Sequence, residues 1–178
     1  MATTLIVEDG NGVVDANAYV DVSYVDNFVE RFADPIVWDV SADSKRRAIL
    51  SATRFVDLKY GRRYLSTIMT SEQGLLFPRM EFVDGAGRTV MTGDIPKQLK
   101  DAVAKLAYLH VNNGSLDFVP QTDNNLKRRS VNVGQGAVQE TVEFFEKGDN
   151  NPYIESELLL RDLLSDIKNV FIRQAWRG

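Results

Sequence analysis

The chain has no cysteine and a single histidine, His110, among its 178 residues. The lack of cysteine excludes disulfide bonds, cysteine-ligated zinc and thiol catalysis. A transition-metal site would have to rest almost wholly on carboxylates. No apolar run approaches the roughly 18 residues that a membrane-spanning helix needs, and the N-terminus lacks the basic stretch of a signal peptide. We therefore expect no metal, no cofactor and no membrane association, and a protein that stays in the compartment where it is made.

An excess of positive charge is also lacking. The 21 Lys and Arg residues face 25 Asp and Glu, which gives a formal net charge of -4. A dedicated nucleic-acid binder usually carries a basic face and often a basic total. The acidic balance argues against that class, although a local basic patch is compatible with it.

No group of residues in the sequence forms a recognisable catalytic or metal-binding motif. His110 would need an orienting carboxylate and a nucleophile to act as a base, so a structural histidine near a helix end is the favoured interpretation. A calcium loop starting at Asp9 would need a glutamate at its twelfth position, where the chain has Val20. The segment Gly134-Gln135-Gly136 lacks the third glycine of a nucleotide-binding loop. We predict a non-enzymatic protein. Of the two glycine-containing segments, residues 9–12 are predicted to form a hairpin turn and Gly134-Gln135-Gly136 a second turn.

Three stretches between residues 19 and 114 have the apolar spacing of amphipathic helices. The first starts after Asp21 as N-cap and stops at Pro35. Its apolar positions are Val22, Val25, Phe28, Val29 and Phe32. The second starts near Ser41 or Asp43 and ends at Tyr60-Gly61. The third starts at Asp94-Ile95-Pro96 and ends at Gly114.

The remaining segments predict a strand, a loop region, a hairpin and a last helix. Residues 4–8 read as a short strand, and residues 62–93 as a structured loop with short extended pieces. Apolar alternation on both sides of residues 134–137 predicts a β-hairpin. Helical spacing then recurs near the C-terminus, at Leu160, Leu163, Leu164, Ile167 and Phe171.

The sequence therefore predicts a mainly α fold: a small helical bundle with an inserted β-hairpin arm and a C-terminal helix plus tail. We expect a single domain over residues 1–178. Its parts are a helical body at about 1–114, the hairpin arm at about 115–150, and the helix and tail at about 151–178.

Three basic clusters and one apolar tail are the candidate binding segments. The clusters are Lys45-Arg46-Arg47, Arg62-Arg63 and Lys127-Arg128-Arg129, with Phe55, Tyr60, Tyr64 and Phe77 near the first two. Single-strand binders combine such cations with exposed stacking rings, but solvated faces or protein contacts are the favoured interpretation. The C-terminal tail, residues 172–178, contains apolar side chains and arginines, and tryptophan and arginine are residue types that dominate the energetics of interfaces. It either docks on a partner or folds back onto its own core, and the sequence leaves both open.

Several motifs, taken in order, resemble a tailed-phage family labelled DnaT-like single-stranded DNA-binding. They are Leu5-Ile6-Val7-Glu8-Asp9-Gly10, Asn17-Ala18-Tyr19-Val20-Asp21-Val22, the stretch 45–60 with Ala52-Thr53-Arg54-Phe55-Val56-Asp57, Leu76-Phe77-Pro78-Arg79, and Ile95-Pro96 leading through Leu99-Lys100 and Ala102 to Leu106-Ala107. Members of this family look like head-to-tail adaptor (connector) proteins. The family often has a tryptophan before the Pro-Arg pair, where this chain has Phe77. Many members have another soon after the second helix, where this chain reads Tyr60-Gly61-Arg62-Arg63-Tyr64. Both differences weaken any case for base stacking at those positions.

The resemblance implies a virion protein made in the host cytoplasm and placed in the neck between head and tail. Its partners would be copies of itself in a ring of twelve, the portal protein, and a tail or tail-terminator protein, with DNA only as passing cargo. The portal-docking residues would be Phe171, Ile172, Arg173, Trp176 and Arg177. Contacts to a neighbour or to the tail would come from Arg128, Arg129, Val131, Val133, Val138, Val142 and Phe144.

The alternative function is that of a single-stranded DNA-binding replication accessory protein. It requires an exposed basic face built from Arg46, Arg47, Arg62, Arg63 and residues 127–129. A net charge of -4 suits a conduit that DNA slides through better than a clamp.

Overall fold

The computed structural model describes residues 4–116 and 153–165, together with the backbone of residues 126–134 and 137–144. These residues fall into two compact units. The first comprises the described parts of Met1–Leu116 and Tyr153–Gly178, and the second those of Asp117–Pro152. The second unit is a β-hairpin and the first is mainly helical, so the predicted mainly α fold with an inserted hairpin and a C-terminal helix is confirmed.

Helices form most of the described part of the chain, and the strands are few. The α-helices are α1 (Val22–Phe32), α2 (Pro35–Trp38), α3 (Ala42–Tyr60), α4 (Lys97–Asn113) and α5 (Ile154–Leu160). Short 3-10 turns, Gly61–Arg63 and Arg161–Leu163, follow α3 and α5. The strands are β1 (Phe82–Val83), β2 (Thr89–Val90), β3 (Leu126–Gly134) and β4 (Ala137–Phe144), paired β1 with β2 and β3 with β4, both antiparallel.

The helix ends largely follow the predicted capping residues. The Asp21 carboxylate accepts a hydrogen bond from the Tyr24 amide at 2.8 Å, and the Ser41 hydroxyl accepts one from the Ser44 amide at 3.2 Å. Gly114 ends α4 in the left-handed conformation, at φ 80°. Asp94 is an exception: its carboxylate accepts from the Met91 amide, so Pro96 stands at the N-cap without a side-chain bond.

Gly61 is needed for close packing rather than for a left-handed helix end. Its φ is -53°, in the right-handed region, and the chain continues into a 3-10 turn. A Cβ on this residue would lie 2.2 Å from Cδ1 of Leu76. The glycine therefore lets the loop before Pro78 approach the end of α3.

The core lies between α3 and α4, with α1 and α5 packed against α4. Its centre is formed by fully buried residues of the two long helices, which include Ala48, Ile49, Ala52, Val56, Leu99, Ala102, Val103, Ala104, Leu106 and Ala107. Five of these are alanines, two on α3 and three on α4, and small side chains let helix axes approach closely. On α1, Val25, Phe28 and Val29 are buried, whereas Phe32 is 62% exposed. Its predicted place in the core is wrong, because α1 ends at Phe32 and the chain turns there into α2.

Two sequence predictions, the strand at residues 4–8 and the hairpin turn at residues 9–12, are wrong because the backbone there makes other hydrogen bonds. Residues 4–8 form one parallel bridge, Val7 with Ala18, rather than a strand of an antiparallel hairpin. The buried carboxylate of Glu8 accepts hydrogen bonds from the amides of Gly10, Gly12 and Val13, each at 2.9 Å. The loop at residues 9–13 is therefore wrapped around Glu8 instead of making a hairpin turn.

The C-terminal helix starts and stops earlier than its apolar spacing predicts. After the 3-10 turn, Leu164 is extended and forms an antiparallel bridge with Tyr64. The Ser165 amide donates to the Arg63 carbonyl at 2.6 Å, and the Leu65 amide donates to the Leu163 carbonyl at 3.0 Å. This pairing replaces the helical bonds, while Leu160 and Leu163 are still buried as expected. Ile167 and Phe171 lie outside the described residues.

A hydrogen-bonded cluster around Asp57 joins three distant segments. The Tyr19 hydroxyl donates to the Asp57 carboxylate at 2.8 Å, and the Leu76 amide donates to it at 3.2 Å. The Phe77 amide in turn donates to the Tyr19 hydroxyl oxygen at 3.1 Å. One carboxylate on α3 thus holds both the N-terminal segment and the loop before the cis Phe77-Pro78 bond.

The buried side chain of Arg79 fixes the same loop from its other end. Its Nε donates to the Leu65 carbonyl at 2.7 Å and its Nη1 to the Leu76 carbonyl at 3.0 Å, while Nη2 donates to the Ser66 carbonyl. The guanidinium carbon lies 5.7 Å from the centre of the Tyr64 ring and 5.8 Å from that of Phe77. Both rings are buried, so Arg79 serves the internal structure of the loop.

We predict that Tyr19→Phe lowers the free energy of unfolding by about 1–3 kcal/mol, because it removes one of the two donors to the Asp57 carboxylate and leaves the Phe77 amide without its acceptor. Urea unfolding measures this loss. Tyr24→Phe is the matched control: it removes one partly exposed bond, 2.7 Å long, from Tyr24 to Asp101, and should cost only about 0.5–1.5 kcal/mol. Equal losses in the two variants would contradict a special role for Tyr19.

Asp57 should also give the fold an unusual pH dependence. Burial raises the pKa of Asp57 from 3.8 to about 6, against the opposing effects of its hydrogen bonds and of Arg79. Between these two pKa values the native chain binds more protons than the unfolded chain, so this residue adds stability as the pH falls from 7 to 5. The unfolding free energy of the wild type minus that of Asp57→Asn should therefore rise over this interval. Urea titrations at each pH measure the difference, and parallel curves would contradict the prediction.

Candidate interaction surfaces

The basic clusters of the helical unit differ in how far their charges are available. Lys45 is partly buried, and its ammonium group pairs with Asp26 at 2.8 Å while lying 5.4 Å from the centre of the Trp38 ring. Arg47 is exposed but pairs with Asp43 at 2.8 Å. Each of these two cations is therefore already paired with a carboxylate of the same chain.

The exposed side of α3 still carries a short basic stripe. Arg47 and Arg54 are seven residues apart, so they lie on one face of α3, and exposed Arg62 follows in the 3-10 turn. Leu58, which is 74% exposed, lies on the same face. Among the described residues no ion pair involves Arg54 or Arg62. The stripe thus combines Arg47, which is paired with Asp43, with two further exposed cations.

The aromatic residues near the basic clusters are not available for stacking on bases. Tyr60, Tyr64 and Phe77 are buried, and Phe55 is partly buried with its ring centre 4.9 Å from that of Tyr153. Stacking on a base needs an exposed ring face. A stacking platform made of these four rings is therefore excluded in this conformation.

Two of these rings, Phe55 and Tyr60, instead contact Lys59 together with the ring of Tyr153. The Lys59 ammonium group lies 5.3, 5.2 and 5.1 Å from the ring centres of Phe55, Tyr60 and Tyr153. The same group pairs with the Glu157 carboxylate at 2.8 Å. A cation over aromatic faces and beside a carboxylate is stabilised by both, so this cluster fastens α5 to the end of α3.

Tyr153 also forms a hydrogen bond across the point at which the helical unit is interrupted in sequence. Its hydroxyl donates to the Leu116 carbonyl at 2.9 Å, and both residues are buried. The points on either side of residues 117–152 are thus held together. Sequence reasoning missed this bond, because nothing in the local pattern pairs Tyr153 with a residue 37 positions earlier.

Eleven large apolar side chains are exposed among the described residues of the helical unit, and six of them fall into three pairs, each on one element or on adjoining segments. Phe32 and Ile36 lie at the α1–α2 junction, and Ile36 is 81% exposed. The other exposed pairs are Val83 and Met91, on and beside the β1–β2 ribbon, and Ile154 and Leu158, one turn apart on α5. Single exposed apolar residues are ordinary, whereas large contiguous apolar patches mark contact surfaces, so the three pairs are candidate contact positions.

The predicted contact residues of the hairpin lie on the two strands of the second unit. Arg128, Arg129, Val131 and Val133 lie on β3, and Val138, Val142 and Phe144 lie on β4. The register pairs Arg129 with Val142, Val133 with Val138, and Leu126 with Phe144. The five predicted portal-docking residues, Phe171, Ile172, Arg173, Trp176 and Arg177, lie outside the described residues.

The described residues form no metal-binding group of three or more His, Asp or Glu side chains. His110 lies in the last turn of α4, partly buried, as expected for a histidine near a helix end. Within the same part of the chain, no helix combines the length and the apolar content that crossing a bilayer requires.

The sequence model of one protein family matches residues 3–178, nearly the whole chain. That family is described as "Putative DnaT-like ssDNA binding protein". Neither a curated protein nor a solved structure matches the chain.

Proposed function

This chain belongs to the DnaT-like ssDNA-binding protein family, and from that premise we propose that it is a structural protein that works by assembling with copies of itself. The assembled copies would form a ring. This ring would act as a head-to-tail adaptor in the virion neck, docked on the portal protein and contacting a tail protein. DNA would pass through it without being held. The function is non-enzymatic and needs no cofactor.

The exposed apolar pairs are the observation that carries this proposal. A subunit of a cyclic ring needs two different patches, one for each neighbour, because its interfaces are heterologous. The helical unit carries three such pairs on different elements, at the α1–α2 junction, on the β1–β2 ribbon and on α5. Burial against neighbouring copies would stabilise the ring by removing this apolar surface from water.

The internal use of the family-like motifs supports the same proposal. Tyr19, Asp57 and the segment Leu76-Phe77-Pro78-Arg79 bind one another rather than lining a cleft. A motif set used for internal bonding favours a rigid scaffold over a site that turns over a substrate or grips a base.

A second candidate function is binding of single-stranded DNA. The family description names it and says nothing of adaptors, so the description favours this candidate over the ring. The stripe of Arg47, Arg54 and Arg62 could contact phosphates, since base-independent binding rests on such cations. The buried rings near it and the net charge of -4 argue against it.

A titration with a labelled single-stranded oligonucleotide, read by fluorescence anisotropy, separates the two candidates. For an adaptor we expect only weak binding, with a dissociation constant at the upper end of the non-specific range of about 10⁻⁴–10⁻⁶ M. Arg54→Glu with Arg62→Glu should change it little. Micromolar or tighter binding that weakens steeply with salt, and that this double variant abolishes, would establish DNA binding and contradict the conduit.

Removal of residues 172–178 tests docking on the portal. We expect the truncated protein to keep the wild-type helical circular dichroism and unfolding midpoint, because the described core ends before this segment. It should no longer attach to portal-bearing heads in a sedimentation assay. Val14→Ser, a change at a residue that is exposed and lies outside the apolar pairs and the basic stripe, is the control that should still attach. Undiminished attachment of the truncated protein would contradict the docking role of Ile172, Arg173, Trp176 and Arg177.

A further inference from the structure

The hairpin has two strand edges that the described part of the chain does not use. Strand β3 pairs with β4 over eight registered positions, and neither pairs with any other described strand. An isolated two-stranded hairpin is marginally stable in water, whereas a third strand adds a second ladder of hydrogen bonds. An open edge is also a template for pairing with another chain. The backbone therefore offers two places for strand addition.

The two edges carry opposite charge. Strand β3 contains Lys127, Arg128 and Arg129 and no acidic residue. Strand β4 contains Glu140 and Glu143 and no basic residue. An edge formed by β3 is thus complementary in charge to an edge formed by β4.

The register places the three cations of β3 and one carboxylate of β4 at the same end of the hairpin. Arg128 is opposite Glu143, and Val131 is opposite Glu140, whereas Gly134 and Ala137 pair next to the turn. Glu143 therefore lies in the half away from the turn, with the three cations of β3, and Glu140 lies near the middle of β4. Two hairpins that point the same way, side by side, bring the basic half of β3 to the level of Glu143.

We propose that β3 of one copy of this chain pairs with β4 of the next copy, so that the hairpins join into one continuous antiparallel sheet. The inference rests on the proposed ring. In a cyclic assembly all hairpins point the same way, so unlike edges meet and their strands run antiparallel. Closure of the ring would then remove every free edge, as in an up-and-down barrel.

A two-fold dimer would make the other pairing. A two-fold axis joins like edges, β3 with β3 or β4 with β4, and gains no attraction between strands of opposite charge. The charge difference between the strands therefore favours the cyclic pairing over the two-fold one.

Cysteine cross-linking between differently tagged copies tests the proposal. The chain has no cysteine, so introduced thiols are the only ones present. One preparation carries Ser130→Cys on β3, and the other carries Thr141→Cys or Gln139→Cys on β4, the second position allowing for a shift of two residues. Neighbouring strands bring Cα atoms within the 4.4–6.8 Å that a disulfide spans. The preparations are mixed, assembled, checked for mass by light scattering, oxidised, and run on a non-reducing gel.

We expect a new band at twice the chain mass that carries both tags, and no such band from either preparation alone. Circular dichroism must first confirm wild-type helix content, and Asn132→Cys replaces Ser130→Cys if that variant fails to fold. Assemblies of ring mass without the two-tag band, or a dimer band from Ser130→Cys alone, would overturn the strand pairing and leave the ring standing. The absence of any species larger than a monomer, also in the presence of portal-bearing heads, would overturn the ring and the pairing together.

Discussion

The hydrogen bonds to the Asp57 carboxylate are the interaction on which the rest of the helical unit depends. This carboxylate lies on α3, yet its partners are the Tyr19 hydroxyl and the Leu76 amide, which belong to segments far from it in sequence. Through Tyr19 it also orients the Phe77 amide, and Arg79 then fixes the carbonyls on both sides of that loop. Burial of this carboxylate has a cost, visible in its raised pKa, and the hydrogen bonds offset that cost.

A scaffold tied together in this way leaves its outer surfaces free for other contacts. Near the end of α3, Lys59 holds α5 in place, because its ammonium group pairs with Glu157 and lies over three aromatic faces. What the unit offers to partners is a basic stripe on α3 and three pairs of exposed apolar residues. The stripe agrees with the description of the family, and the apolar pairs agree with a subunit that has several neighbours.

The correct sequence predictions and the errors have different physical origins. The starts of α1 and α3 and the end of α4 were predictable, because Asp21, Ser41 and Gly114 act on their own immediate backbone. Asp94 misled, because its carboxylate binds the preceding loop. The C-terminal helix misled for a related reason: residues 163–165 pair with residues 63–65, a contact that apolar spacing cannot reveal. Of the candidate site, the sequence located the basic clusters, but their ion pairs and the burial of the rings depend on partners distant in the chain.

The sequence by itself determined the class of protein: mainly helical, with a hairpin, free of cysteine and without a catalytic or metal-binding motif. These properties follow from composition and from periodicity over one or two turns, which are local. Only the tertiary structure decided which charges are neutralised, which aromatic rings are buried and which apolar side chains face water. Those outcomes depend on contacts such as Tyr19 with Asp57 and Lys59 with Glu157, which join residues 38 and 98 positions apart. No local pattern encodes such contacts, because they form only when the helices pack.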